Sequence, residues 1–294
     1  MEVLKAPPPA SQQVTGYVEL YGGGAENKFS NTFCDFEGPC SQESDKIHGW
    51  VLGGAGRVNY WWSPGASLQL DAQAEGTSFK ADFGNGVFHF SDVAYLVGGH
   101  ASWRNSGSLV GVFGAAGDAH GVRHGMIGAE AQVYWNQFTL YAQAGYDTTV
   151  PGPLSSSVDA YHHWFVRGTG RYFVNPNLLL EGTVLYASGQ ANQLVPSASV
   201  DYNTLLWQAK IEWRPSSHPF SFFVKYQGAR TKTDTFDTSF GGTVIDSKIS
   251  DSLILGGMRL YLGENSVRAN TAKGATLDFI DVFGSGVSPF FVGR

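Results

Sequence analysis

The sequence predicts an all-β protein, a transmembrane up-and-down antiparallel β-barrel of about twelve strands. Three observations carry this reading. Hydrophobic segments with a period of two recur along almost the whole chain, which is the alternation of strands with one apolar face. Tight turns of two to four residues alternate with loops of eight to twenty, as in a membrane barrel with short periplasmic turns and long outward loops. The aromatic side chains sort to the two ends of the apolar face.

The short turns are Ser63-Pro64-Gly65, Asn105-Ser106-Gly107, Asn136-Gln137, Asn175-Pro176-Asn177 and Ser216-Ser217-His218. The long loops are expected near 24–46, 78–91, 117–124, 148–160, 189–201 and 230–249. Between them lie segments at 14–24, 48–62, 66–77, 92–104, 108–116, 124–135, 138–148, 162–174, 178–188, 202–214, 219–230 and 250–262. Each is long enough to cross a bilayer at a tilt near 45°.

The first segment carries Gly22-Gly23-Gly24, glycines that permit bends and close packing in a strand. No helix follows them, so they are not a phosphate-binding loop. In the second, Trp50, Leu52, Val58, Tyr60 and Trp62 share one face, and Gly53, Ala55, Arg57 and Asn59 the other. The third sets Leu68, Leu70, Ala72 and Ala74 against Gln69, Asp71, Gln73 and Glu75. The tenth sets Leu205, Trp207, Ala209, Ile211 and Trp213 against Gln208, Lys210, Glu212 and Arg214.

A soluble sandwich would show the same alternation with its apolar face buried. The aromatics decide between the two. Tyr60, Trp62, Trp103, Trp135, Phe138, Tyr172, Trp213, Phe220 and Phe222 fall near short turns, whereas Trp50, Tyr95, Tyr146, Trp164, Tyr186 and Tyr226 lie eight to twelve residues further along. Two aromatic girdles around an apolar band of about 25 Å mark a membrane barrel.

Turn geometry implies a register. Trp135 opposite Phe138 sets Glu130 against Gln143, and Trp62 opposite Ala66 sets Arg57 against Asp71. Val174 opposite Leu178 sets Arg171 against Glu181, and the turn after strand ten sets Lys225 against Gln208.

Composition bounds the rest. Only 15% of residues are charged, yet mean hydropathy is −0.13, as expected of a barrel apolar outside and polar inside. No stretch approaches the 18 or so apolar residues of a membrane helix. A net charge of −6 without a basic stripe argues against nucleic acid as a partner. Met1–Ala6 lacks the apolar core of an export signal, so the reading is of a processed chain. Residues 1–13 are expected as a Pro-rich periplasmic leader, 14–263 as the barrel and 264–294 as a C-terminal periplasmic tail.

The candidate pore-lining residues are Arg57, Asp71, Glu75, Glu130, Arg167, Arg171, Glu181, Lys210, Glu212, Arg214, Lys225 and Arg259, with Glu19 also inward. Strands eight to twelve hold six of the bases, and strands one, three and six hold only acids. A basic wall facing an acidic one would favour small polar or anionic solutes. The same residues would equally serve as a salt-bridge network filling a narrow barrel.

Cys34 and Cys40, six positions apart in the first long loop, read as one disulfide. His120, His124, His162 and His163, with Asp118 and Asp159 nearby, could gather at one rim around a transition metal. No metal or other cofactor is expected on balance, because scattered loop histidines are usually solvated.

The pattern over 14–262 resembles the porin-like outer-membrane barrels of Gram-negative bacteria. The leader Val3-Leu4-Lys5-Ala6-Pro7-Pro8-Pro9 is similar to mature N-termini of alphaproteobacterial barrels. That resemblance implies an outer-membrane location and a lipid surround. Such barrels usually end on an aromatic residue of the last strand, whereas here Leu253–Leu262 is followed by about thirty residues. The pair His100 and Ser102 resembles the His/Ser pair of outer-membrane phospholipases, but it is expected to face inward, so no enzyme activity is assigned. The reading is of a monomeric diffusion channel for small hydrophilic solutes, anionic ones favoured. The alternative is a closed barrel acting through its surface loops.

Overall fold

The computed structural model describes residues 14–34, 40–82, 87–119, 122–151, 161–192, 199–216, 218–237, 243–263, 265–274 and 277–278. The leader 1–13 and residues 279–294 lie outside them. Twelve strands are found among the described residues. They are β1 (Val14–Cys34), β2 (Cys40–Trp61), β3 (Ala66–Asp82), β4 (Val87–Arg104), β5 (Ser108–Ala119) and β6 (Val122–Trp135). The rest are β7 (Phe138–Pro151), β8 (Tyr161–Asn175), β9 (Leu178–Asn192), β10 (Ser199–Trp213), β11 (Phe220–Asp237) and β12 (Thr243–Leu262). Each pairs antiparallel with its sequence neighbours, and β1 with β12 closes the barrel. Closure leaves no edge, and in lipid every backbone N–H and C=O must find its partner within the sheet.

The outward face is apolar between two aromatic girdles. Leu70 and Ile127 are 68% and 69% exposed, and Val97, Leu140, Ile211 and Ile254 are also exposed. Trp62, Trp103, Trp135 and Trp213 flank this band at the short-turn end, and Trp50, Tyr95, Tyr146 and Trp164 at the other. A soluble sandwich would have buried these residues, so this face is built to contact lipid.

Three of the four expected registers hold. Glu130 faces Gln143, Arg57 faces Asp71 and Arg171 faces Glu181. Around the β8–β9 turn a bulge at Val174 makes Asn175, not Val174, the partner of Leu178. The β10–β11 register differs from expectation: Lys225 faces Lys210, and Gln208 faces Gln227. The strands end at Trp213 and begin again at Phe220. This connection, bounded by Pro215 and Pro219, is longer than the Ser216–His218 turn and shifts the pairing by two residues.

Much of what reads as long loop is strand. β1 and β2 run to Cys34 and from Cys40, and β11 and β12 to Asp237 and from Thr243. Beyond the girdle both sheet faces are wet, so polar residues such as Lys28, Ser44 and Lys46 occupy them and the period-two signal disappears. The hydrogen-bonded ladder continues regardless.

The interior is not uniformly polar. In the half near the long strands, Leu96, Phe113, Met126, Phe165, Leu185 and Leu206 form a buried apolar cluster. Val51, Phe79, Leu253 and Leu255 form a second. Together they make a dry inner belt.

Residues 265–274 and 277–278 also depart from the expected periplasmic tail. At Gly263 φ is +96°, a left-handed conformation that suits glycine, and the chain turns there from β12 into the barrel. Ser266 caps a short helix, α1 (Val267–Lys273), accepting from the backbone N–H of Ala269 at 3.0 Å. Val267 packs among Tyr17, Phe173, Leu179 and Tyr261, and Leu277 against Leu109 and Tyr141. All of these partners face the lumen, so the segment lies inside it.

Candidate functional site

Alternation along the strands brings all twelve candidate pore-lining side chains, and Glu19, onto the lumen face. In the half near the short turns most of them join one ionic network. Its centre is a residue absent from the sequence-based set, Asp278. Its carboxylate bonds Arg57 Nη1 from β2 and accepts from Arg171 Nη2 of β8 at 2.7 Å, with Arg167 Nη2 at 3.6 Å.

On one side of this centre, Arg57 Nε lies 3.3 Å from Asp71. Asp71 is 3.0 Å from His100 Nε2, and His100 Nδ1 is 2.9 Å from Glu130. Tyr141 donates to Glu130 at 2.7 Å. On the other side, Arg171 donates to Glu181 at 2.7 Å, and Lys210 lies 3.1 Å from Glu181 and 3.5 Å from Glu212. Arg259 then bridges Glu212 at 3.1 Å and Glu19 at 2.6 Å.

The expected separation into a basic and an acidic wall therefore does not appear. Acids and bases interleave around the lumen, as burial of charge demands. The carboxylate that completes the basic side comes from the tail. Burial opposes the charge on Asp278, but Arg57, then Arg171 and Arg167, hold its carboxyl well below the usual range.

Backbone bonds seat the rest of the segment. Trp61 Nε1 donates to the Lys273 carbonyl at 3.0 Å, and Arg104 Nη1 to that of Ala272 at 2.8 Å. Gln69 both donates to the Leu277 carbonyl at 2.7 Å and accepts from its N–H at 3.2 Å. Arg268 Nη2 caps the β6–β7 turn at the carbonyl of Asn136, 2.6 Å away. Beside Asp278 remains a cavity of about 20 Å³ lined by Tyr17, Arg57, Arg171, Glu181, Lys210 and Arg259. A space of this size holds about one water.

The other three candidates make further contacts on the lumen face. Glu75 is buried on β3. Arg214 stacks over Tyr261, 5.0 Å from the ring centroid, and donates to the His218 carbonyl. Lys225 sits 5.9 Å from the Tyr21 ring.

The histidines divide. His124 and His163 point inward, where His124 Nδ1 lies 2.8 Å from Asp147 and His163 bonds Tyr202 at 2.8 Å. His162 is outward and exposed, and Asp118 faces Arg123. His120 and Asp159 lie outside the described residues, among which no group of three or more ligands suits a metal. His100 and Ser102 face inward as expected. His100 is held between two carboxylates and Ser102 bonds Ser67 at 3.0 Å, so the two form no nucleophile–base pair. Cys34 is the cross-strand partner of Cys40 at the tip of β1–β2.

The tail did leave a trace in the sequence. Strands eight to twelve carry six inward bases against three acids, Glu181, Glu212 and Asp251, an excess that asks for a carboxylate from elsewhere. Ser266 ahead of Val267–Lys273 is a helix start.

This is the fold of bacterial outer-membrane β-barrels. No protein-family model and no curated sequence matches the chain. Among solved structures it is similar to an outer membrane channel from Pseudomonas putida F1, with 10% identity and a TM-score of 0.59 over 87% of this chain and 99% of that one. A FadL homologue from Pseudomonas aeruginosa (9% identity, TM-score 0.40, 85% and 90% covered) is a more distant likeness. The NanC porin (9% identity, TM-score 0.40, 81% and 100% covered) is another.

Proposed function

We propose that the protein is a monomeric outer-membrane channel for small hydrophilic solutes, anionic ones favoured, that its own C-terminal segment holds shut. The observation that supports this reading is the capture of Asp278 by arginines from opposite walls. Strands β2 and β8 stand six apart in a ring of twelve. Desolvating cations is expensive, and a barrel that needed only a filled core would be as stable with apolar residues there. Arginines set across a lumen are instead suited to receive a small anion, and Asp278 occupies their focus as a built-in substitute. The channel would conduct when α1 and the stretch at Leu277 and Asp278 withdraw.

The competing reading, a permanently closed barrel working through its surface, draws support from the dry belt around Phe113 and Phe165. Conductance in planar bilayers separates the two. The gated reading expects few openings from the intact chain and frequent, anion-preferring steps from a chain ending at Gly263 or carrying Asp278→Asn. Silence from a variant that is folded, judged by heat-modifiable gel mobility, would establish the closed barrel. We further propose a Cys34–Cys40 disulfide at the β1–β2 tip, supported by their direct cross-strand pairing, and no catalytic role.

A further inference from the structure

The outward surface beyond the upper girdle is electrostatically lopsided. β11, β12, β1, β2 and β3 are consecutive neighbours in the closed sheet. Their outward positions there carry Arg230, Lys232, Lys248, Lys28, Lys46 and Lys80, exposed except for the half-buried Lys248. Lys232 lies directly opposite Lys248, and Lys28 directly opposite Lys46. Ser250 is the only residue between Arg230 and Lys28.

Like charges directly opposite across strands are destabilising, and here two such pairs sit within one band. Among the described side chains of that band the outward carboxylate is Glu26, held by Lys46 at 3.1 Å and His48 at 3.5 Å. The other wall differs. There Arg123 faces Asp118, Gln190 bonds Asp201, and Tyr186 donates to Asn203.

Height selects the partner. Lys46 lies four residues beyond the girdle residue Trp50, and Arg230 four beyond Tyr226. At about 3.3 Å per residue and a tilt near 45°, that places the charges about 9 Å above the aromatic rings. Girdle aromatics sit at headgroup level, so the band stands at the outer edge of the headgroups, where phosphates lie and acyl chains do not.

We propose that this band, centred on the opposed pairs Lys28/Lys46 and Lys232/Lys248, binds the phosphate groups of a phosphorylated glycolipid of the outer leaflet. Paired lysines two strands apart would each meet one phosphate, and the anion offsets the repulsion within each pair.

The test titrates the folded protein, in zwitterionic detergent micelles, with a diphosphorylated diglucosamine lipid, its dephosphorylated form and phosphatidylglycerol, following intrinsic tryptophan fluorescence. The expected result is tight, salt-sensitive binding of the diphosphorylated lipid alone. The variant K28Q/K46Q/K232Q/K248Q should weaken it at least tenfold, while R123Q on the other wall should not change it. The quadruple variant removes two like-charge pairs and one exposed ion pair, Lys46–Glu26, which is worth little at the surface, so folding is expected to survive. Should it not refold, K232Q/K248Q serves with an expected loss of about threefold. Equal binding of the dephosphorylated lipid, or an undiminished affinity in the variants, would overturn the proposal. Equal binding of phosphatidylglycerol would overturn the assignment to a glycolipid.

Discussion

Replacing Asp278 by Asn keeps its shape and removes its charge, which isolates the ionic part of the seating. Removing one partner of a buried ion pair generally costs about 3–5 kcal/mol. The low end applies here, because none of the three arginines is stranded. Arg57 keeps Asp71 at 3.3 Å, Arg171 keeps Glu181 at 2.7 Å, and Arg167 Nη1 keeps Gln143 at 3.4 Å. The cost falls on docking of α1 and of Leu277 and Asp278, and not on the barrel, whose ladder is untouched. A loss of about 3 kcal/mol multiplies the undocked population by roughly 150, since 1.4 kcal/mol is tenfold. Hydrogen exchange of the amides of 267–274, read by mass spectrometry, should accelerate by about that factor while strand amides stay protected. Unchanged exchange with a correctly folded barrel would refute the idea that Asp278 is the anchor, leaving Val267 and Leu277 as the holding contacts.

Other outcomes follow from the same geometry. Because the docked Asp278 carboxyl lies well below its ordinary value, its contribution is complete above about pH 4, the undocked carboxylate range, and disappears only as pH falls through the lowered value. Exchange of 267–274 should therefore be flat from pH 7 to about 4 after correction for intrinsic rates, and a loss of protection near pH 6 would contradict this. Gly263→Ala places a side chain in a left-handed conformation and sets its Cβ 3.0 Å from the Val14 carbonyl oxygen. It should weaken docking by about 1–2 kcal/mol, visible as faster exchange in α1 with unaltered thermal stability of the barrel. On the lipid face, Leu70→Arg should cost about 2–4 kcal/mol in urea unfolding from vesicles, whereas Gln73→Arg on the lumen side should be milder; equal costs would invert the assigned faces. Finally, Cys40 should resist maleimide labelling until reductant is added, and labelling of the untreated chain would remove the disulfide.

How far the sequence could be read depends on which environment each residue answers to. Where lipid lies on one side, as along Leu68–Glu75, alternation is enforced and the strand and its faces are legible. Where water lies on both sides, as at Ser41 and Gln42, nothing enforces alternation, and strand reads as loop. The three registers that hold are set by turns whose flanking aromatics mark the strand ends. The β10–β11 register was obscured because Pro215 and Pro219 lengthen a connection that looks like a three-residue turn. The lumen was half legible. Its inward charges were countable, but Asp278 is a single acid in a segment without periodicity. Only the three-dimensional meeting of β2 and β8 gives it a role. The inner belt of Phe113 and Phe165 had no separate signature, since each occupies an inward position that reads as polar by alternation alone.

The reach of the C-terminal segment bears on how the barrel is made. Side chains that touch it come from β1, β2, β3, β4, β5, β7, β8, β9 and β12, and β1 pairs with β12 where Glu19 receives Arg259. A sheet still open at that seam cannot bring Arg57 and Arg171 within reach of one carboxylate. Seating of residues 265–274 and 277–278 therefore depends on a closed circumference. A chain inserted with a slipped strand would leave Asp278 unclaimed, with the segment hanging on the side where quality-control proteases could find it.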